Sequence, residues 1–317
     1  MIRRSLRFSL SGLAVSALLL ANAGSSSAHV LGGTHVMKVN ALHGAHKHSG
    51  GGANLFSHGG AIDQSAKVYL IWWGPQWSSG FTTGGYTSGQ AQTYVQDFFS
   101  GVGGSSWANS TTQYCQGVAS GTVTCGTSGV HPSNPKGQLA GTWNDTSVLP
   151  SSITQSAIAA EAAKAVGVFG FSANANYMVF TPTGHSQSGF RTSWCAYHGS
   201  TGSSGGTISF SYMPYQPDAA GNCGMNFVNA GNDAFGNGYF DGFSIVGGHE
   251  YGETITDPFP NSGWLDGSGA ENGDKCAWIS AGQGAASNIS LGGNSFAVQS
   301  LWSNAFNGGA GGCVLSY

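Results

Sequence analysis

The segment SIVGGHEYGETITDP, residues 244 to 258, constrains the fold more than any other part of the chain. Apolar residues and glycines surround its charged side chains, so a helix built from it has no polar face to expose. Such a helix is stable only when it is buried, and its carboxylates then need partners. Asp241 or Ser244 can cap its start, and Pro258 forbids its continuation. The segment therefore predicts a buried helix whose glycines let other elements approach closely.

Charge is rare in the rest of the chain. Charged residues make up 7% of the sequence, against roughly 25% in a typical soluble protein. Six of the 13 acidic residues nevertheless lie between positions 250 and 274: Glu250, Glu253, Asp257, Asp266, Glu271 and Asp274. A surface with so little charge has no basic stripe and no polybasic patch, so we expect no nucleic-acid and no membrane partner. Acids concentrated beside a histidine favour a bound cation or acid–base chemistry.

The spacing H-E-x-x-E places His249 and Glu253 on one face of the predicted helix. It is one letter short of the zinc-protease motif H-E-x-x-H, whose first and last residues bind zinc and whose Glu takes a proton from the metal's water. By this logic His249 and Glu253 bind the metal and Glu250 is the general base. Glu271 is the candidate third ligand. The alternative is a surface helix whose carboxylates are decoration favoured by the helix dipole.

The same segment suggests which groups support the metal and which metal it is. Asp274 and Asp257 are candidates for the carboxylates that hold the ligands in place. Zinc is the expected cofactor. Because two of the three predicted ligands are carboxylates, harder cations such as calcium or manganese are competitive. Two other histidines, His185 and His198, fit a capped loop or a satisfied core position better than a metal site.

The two ends of the chain predict export and a disulfide framework. A basic start and a short apolar run predict a signal peptide over residues 1–28, and hence a secreted, extracellular protein. A single domain is expected over residues 66–317. All six cysteines follow the signal peptide, and an oxidising compartment favours their pairing. Sequential pairs are the preferred assignment: Cys115 with Cys125, Cys195 with Cys223, and Cys276 with Cys313.

Residues 29–65 are predicted to be a leader rich in histidine and glycine. The simplest interpretation is a flexible pro-segment that stays outside the core. A sharper one is that its imidazoles occupy an open metal position, since tethering raises their local concentration. The leader would then suppress activity until it is cut before Ala66.

Hydrophobic patterns predict an α+β domain with a mixed sheet, packed helices and glycine-rich loops. Buried strands are expected at 67–74 and 176–184, and a strand exposed on one face at 205–215. Helices are expected at 88–103 and 150–167, in addition to the helix that carries His249. The segment CQGVASGTVTC predicts a hairpin or loop closed by a disulfide.

The chain resembles a known family in the order of its motifs. VYLIWWG, YVQDFFSGV, YMVFTP, SIVGGHEYGETITDP, ENGDKCAW and SLWSNAFNGGAGGC follow one another as in the Exordium-like, phosphate-induced proteins, which are secreted proteins of plants with bacterial relatives. The resemblance covers residues 66 to 317 and implies a zincin-like environment around the helix. It implicates His249, Glu250, Glu253, Glu271 and Asp274.

Two function hypotheses follow. The first is a secreted, monomeric, zincin-like metallohydrolase that cleaves peptide bonds of an extracellular peptide or protein. The second is a non-catalytic extracellular protein with a structural cation, which binds a glycan or cell-wall polymer through exposed aromatic residues such as Trp72, Trp73, Trp77 and Trp107.

Overall fold

The structure is a computed structural model that describes residues 30–40, 53–230 and 238–317. The predicted signal peptide and four leader histidines (His29, His43, His46 and His48) lie outside these residues. The strands are β1 (Val30–Lys38), β2 (Phe56–Ser57), β3 (Lys67–Trp73), β4 (Thr82–Thr83), β5 (Tyr86–Thr87), β6 (Leu139–Asp145), β7 (Ala175–Phe180), β8 (Trp194–Ser203), β9 (Gly206–Met213), β10 (Trp264–Leu265), β11 (Ser287–Leu291), β12 (Asn294–Val298), β13 (Leu301–Ser303) and β14 (Gly312–Val314).

The helices are short compared with the loops that join them. They are α1 (Pro75–Ser79), α2 (Ser88–Val102), α3 (Gln155–Phe169), α4 (Asp241–Thr256) and the irregular turn α5 (Phe306–Gly309). Further 3-10 turns occupy Ala108–Gln113, Gln216–Cys223, Gly238–Phe240 and Asp274–Cys276.

One six-stranded sheet organises the domain, in the order β1-β8-β9-β7-β3-β6. Strands β9, β7, β3 and β6 run parallel, whereas β8 pairs antiparallel with both β9 and β1. Helix α3 packs on one face of the sheet, and α2 and α4 lie on the other side in the larger hydrophobic core. The α+β class with a mixed sheet and packed helices is therefore confirmed.

Helix α4 is buried along its whole length, including its charged residues. Its glycines replace side chains where neighbours come closest. A Cβ on Gly252 would lie 2.9 Å from the Leu301 side chain, and one on Gly248 would lie 3.2 Å from the Trp107 ring. The helix begins at Asp241, and Phe240, not Asp241 or Ser244, is its N-cap residue. The predicted burial and close approach are confirmed, and the interpretation as surface decoration is wrong.

The leader is not outside the core, contrary to the prediction. Strand β1 pairs with β8 in the main sheet, and Met37 and Val39 are fully buried. Leu55 and Ile62 pack in a second buried cluster beside Trp264. The reason is that residues 30–38 pair with β8 along the edge of the sheet, and this long-range pairing leaves no alternating pattern in their sequence.

Most of the predicted elements are present with shifted ends. The helix expected from residue 150 begins at Gln155, because Thr154 is the N-cap and accepts a hydrogen bond from the Ala157 N–H. Strand β9 is buried on both faces beyond Thr207, because helices cover both sides of the sheet. Strands β6 and β8 were not predicted.

The three expected disulfides are present: Cys115–Cys125, Cys195–Cys223 and Cys276–Cys313. Disulfides of this kind persist in oxidising compartments. Among the helices of the described residues, none combines the length and the apolar character that a membrane crossing requires.

Candidate metal centre

Four parts of the fold bring histidines and carboxylates to one place. Helix α4 supplies its H-E-x-x-E residues, and the loop before Cys276 supplies two acids. Strands β8 and β1 each supply one histidine, and these lie directly opposite in the sheet register, so both point to the α4 face. The side chains that meet are His35, His198, His249, Glu250, Glu253, Glu271 and Asp274.

Glu253 lies at the centre of this cluster and uses its two oxygens differently. Its Oε1 is 3.0 Å from His249 Nε2 and accepts a hydrogen bond from the Asp274 backbone N–H. Its Oε2 is 3.5 Å from His198 Nδ1 and 3.5 Å from His35 Nδ1. Glu253 therefore joins two groups of potential ligands.

Glu271 belongs to the group formed by the two strand histidines. Its Oε2 is 3.5 Å from His35 Nδ1 and 3.6 Å from His198 Nε2. Its carboxyl group also interacts with that of Asp257. Asp257 in turn accepts hydrogen bonds from the backbone N–H groups of residues 261 to 263. The loop that follows α4 thus fixes the carboxyl that supports Glu271.

The spacing of the donor atoms fits cation ligands. Two groups each have their ligand atoms within 4.8 Å of one another: His35, His198, Glu253 and Glu271, and His249, Glu253 and Asp274. Ligands about 2.0–2.2 Å from a tetrahedral zinc are about 3.3–3.6 Å from each other. In the first group, His35 Nδ1 lies 3.5 Å from Glu253 Oε2 and 3.5 Å from Glu271 Oε2, and His198 Nε2 lies 3.6 Å from Glu271 Oε2, so these three separations match that edge.

Glu250 lies beside the cluster and contacts His198. Its Oε2 is 3.2 Å from His198 Nδ1, and its Oε1 has no hydrogen-bond partner. Burial raises the pKa of Glu250 well above its usual range, and the charges of Glu253 and Asp274 raise it further. The neutral form of Glu250 is therefore favoured in the absence of a cation.

The other pKa shifts show protons distributed over the whole cluster. Burial, then the charge of Glu253, raises the pKa of Glu271, and the same two causes raise that of Asp274 to about 6. Burial alone would lower the pKa of His35, but its contact with Glu253 and the charges of Glu253 and Asp274 raise it to about 9. Burial lowers the pKa of His198 to about 3. No lysine or arginine of the described residues forms an ion pair with these carboxyl groups. Protons therefore offset part of their negative charge.

Buried polar atoms without partners test whether a cation fits. Seven such atoms lie in the cluster: His35 Nδ1, His198 Nε2, His249 Nε2, Glu250 Oε1, Glu253 Oε2 and both oxygens of Glu271. A buried polar group without a hydrogen bond costs roughly 1–3 kcal/mol. A ligated cation satisfies such atoms, so this donor set fits a metal ion.

A cleft of 840 Å³ leads to the cluster from the surface. It is lined by β1 residues on one side and by the loops around Gly269 and Gly311 on the other. His35 and Asp274 line this cleft and are the partly exposed members of the cluster, with 16% and 19% of their side chains accessible. The cleft therefore offers a substrate or an ion a route to the cluster past these two residues.

The structure brings the predicted site residues together but groups them differently. His249 and Glu253 are in contact, as their spacing predicts. Glu271 instead belongs to the group in which His35 and His198 contact both Glu271 and Glu253. His198, interpreted as structural, and His35, assigned to the leader, both lie within the ligand set. Neither THVMK nor CAYHG alternates apolar and polar residues, so no local pattern marked these two histidines as members of the cluster.

Other candidates from the sequence lie outside the cluster. His185 contacts Thr183 O and Gln76 in a loop, in agreement with a structural role. The tryptophans Trp72, Trp73, Trp77 and Trp107 are buried in the core, so the expectation that they are exposed for glycan binding is wrong. Core packing of the parallel strands is the reason. Comparisons with protein-family models, with curated proteins and with solved structures found no match to this chain.

Proposed function

We propose that this chain is a secreted, metal-dependent hydrolase that cleaves peptide bonds of extracellular peptides or proteins. The observation that carries the proposal is the set of seven unpartnered nitrogen and oxygen atoms that converge from three histidines and three glutamates in a buried site. The Exordium-like resemblance and the predicted signal peptide support export. The three disulfides agree with that location.

Zinc is the cation that this donor set favours. Three imidazoles take part, where the motif alone offers one, and imidazole nitrogen suits zinc better than calcium. The cluster's carboxylates keep manganese or calcium as weaker competitors. A bound cation of this kind supplies Lewis-acid activation of water and of a carbonyl group.

The residues around the cation have separable roles. His198 Nδ1 donates to Glu250 Oε2, so its Nε2 carries the lone pair and faces Glu271. Glu250 Oε1 has no hydrogen-bond partner and is the atom that can take a proton from the attacking water. Asp274, which lines the cleft, is placed to contact groups that enter from the surface.

A peptide substrate fits the shape of the entrance. The cleft runs beside β1, the outermost strand of the sheet. The outer edge of β1 pairs with no other strand among the described residues. An extended peptide can add to such an edge through backbone hydrogen bonds, which would lay its carbonyl groups beside His35 and Asp274.

The test combines metal content with hydrolysis of casein. Purified protein loaded with zinc should retain the metal through gel filtration and cleave casein, and a chelator should stop cleavage. Glu250→Gln should bind zinc and lower the rate by about 10²–10⁴-fold. The matched control is Glu161→Gln, because Glu161 is a buried glutamate on α3, which packs on the opposite face of the sheet. A fully active Glu250→Gln variant, or protein that binds no metal, would reject the proposal.

One observation favours the second candidate, a non-catalytic protein with a structural cation. Apart from His35 and Asp274, the cluster is fully buried, as in closed structural sites. Such a protein would bind a cell-wall polymer along the cleft, since the core tryptophans are not accessible. Retention on cell-wall glycan by zinc-loaded protein, without hydrolysis of casein, would favour this function.

A further inference from the structure

We infer that the cluster holds two cations at once, bridged by the carboxylate of Glu253. The inference deepens the proposed function and rests on it only for the location of the site. One position is formed by His35, His198, Glu253 Oε2 and Glu271. The other is formed by His249, Glu253 Oε1 and Asp274.

The geometry of Glu253 is that of a bridging carboxylate. Oε1 faces His249 Nε2 at 3.0 Å, while Oε2 faces His35 Nδ1 of the other group at 3.5 Å. One oxygen is thus available to each group. Bridged cations in two-metal sites are about 3.5–4 Å apart, a separation that the two oxygens of one carboxylate can span.

The second position has a ligand atom of its own, His249 Nε2. His249 Nδ1 donates to Gln299 Oε1 at 3.2 Å, which leaves Nε2 as the nitrogen that faces Glu253. That nitrogen is completely buried and lies only 3.0 Å from Glu253 Oε1. Two acceptor atoms this close repel each other unless a proton or a cation lies between them.

Charge balance also favours two ions over one. As ligands, Glu253, Glu271 and Asp274 must be ionised, and Glu250 must be ionised to act as a general base. Lys275, next to Asp274 in the sequence, pairs with Asp266 at 2.7 Å. The occupied site therefore carries four carboxylate charges, which two divalent cations balance and one does not.

The two positions differ in the number of protein ligands. The His35 group offers four ligands and is closed, as structural zinc sites are. The His249 group offers three and therefore leaves a coordination position open, as catalytic zinc sites do. Asp274 connects this second position to the cleft. We therefore assign the structural role to the first position and the catalytic role to the second.

The test counts zinc ions in the full protein after chelator treatment and reloading, by titration calorimetry and elemental analysis. Wild type should bind two equivalents. Asp274→Asn and Glu271→Gln should each bind one, and Glu161→Gln should bind two. In cobalt-loaded protein, magnetic coupling should appear in wild type and disappear in Asp274→Asn. Circular dichroism identifies any variant that is unfolded. The number of zinc ions bound by wild type tests the inference even if a variant does not fold.

Each outcome separates this inference from the proposed function. One equivalent in an active wild-type protein overturns the inference and leaves the hydrolase. Two coupled ions without hydrolysis support the inference and reject the hydrolase. Adventitious zinc on the leader is tested with His43, His46 and His48 all replaced by Ala. This variant should keep two equivalents, and loss of one would overturn the inference.

Discussion

His249 Nδ1 lies 3.2 Å from Gln299 Oε1, and this contact fixes which ring nitrogen faces the cluster. The orientation of the Gln299 amide is set by its nitrogen, which donates to Gly273 O at 2.8 Å and to Ser300 O at 3.2 Å. Its oxygen must therefore accept, and His249 Nδ1 must donate. Nε2 is consequently the nitrogen that faces Glu253 and the one that would bind a cation.

Replacing Gln299 should weaken metal binding although Gln299 is not a ligand. Gln299→Leu removes the acceptor for His249 Nδ1, and the imidazole loses its fixed orientation. Loss of such a supporting contact costs about 10–100-fold in metal affinity. Titration of the metal-free protein with zinc measures the change.

The control for Gln299→Leu is Gln138→Leu, another buried glutamine that contacts α4. Gln138 accepts a hydrogen bond from the Tyr251 hydroxyl, and its side chain makes no hydrogen bond to a candidate ligand. This variant should lose stability and keep its zinc affinity. Equal affinity losses in the two variants would show that only the packing of α4 matters.

Gly273 leaves space that the ligands use, so Gly273→Ala should disturb them directly. A Cβ at this position would lie 2.8 Å from His249 Nδ1 and 2.9 Å from Glu253 Oε1. Because real Cβ contacts are not this short, one of the two ligands must shift. We expect zinc affinity to fall by at least about 10-fold, the lower end of the effect of disturbing ligand orientation. Gly267→Ala, whose Cβ would meet nothing within 4 Å, should bind zinc as wild type does.

The sequence was informative about the site where the signal was local. Helix α4, the meeting of His249 with Glu253 and the burial of the charges follow from one stretch of 16 residues. The disulfides connect cysteines that are neighbours in the sequence, so the sequential pairing was correct. The role of Glu250 and the identity of the metal remain predictions.

The contributions of His35 and His198 depend on strand pairing between distant segments. Strand β8 is rich in glycine, serine and threonine in its second half, and it forms because β1 and β9 pair with it on both sides. The register that sets His35 opposite His198 is a tertiary property. Strand β1 likewise has no alternating pattern in its sequence, and its place in the sheet comes from long-range pairing with β8.

The Cys276–Cys313 disulfide should matter for both stability and the site. It joins the turn that contains Asp274 to β14 and closes a separation of 37 residues. The chain-entropy relation gives about 4 kcal/mol for a loop of this length and about 3 kcal/mol for the 10-residue separation of Cys115–Cys125. Replacing Cys276 and Cys313 by Ser should lower stability and zinc affinity together. Replacing Cys115 and Cys125 by Ser should lower stability only, as measured by urea unfolding and zinc titration.

The metal-free protein should lose stability as the pH rises from 6.5 to 9. His35 has a pKa of about 9 in the folded protein against an ordinary value of 6.5, so its contribution is complete below pH 6.5 and is lost as the pH rises through 9. Glu161 also makes the folded state less stable as the pH rises. Burial, then a hydrogen bond with Asp145, raises its pKa from 4.5 to about 8, and the folded state releases this proton in the same pH range. His198, with a pKa of about 3, acts in the opposite direction only below pH 6.5.

Bound zinc should reverse this trend, because it replaces the protons of the cluster and binds more tightly as they leave. Thermal unfolding at pH 6.5, 7.5 and 8.5, with chelator and with saturating zinc, measures both slopes. In metal-free Glu161→Gln, the unfolding midpoint should depend less on pH than in metal-free wild type. The pH dependence that remains comes from His35 and its carboxylate neighbours Glu253, Glu271 and Asp274. His35→Gln should remove much of that remainder. If the midpoint of the metal-free Glu161→Gln protein does not change between pH 6.5 and 8.5, the cluster does not store protons in place of a cation.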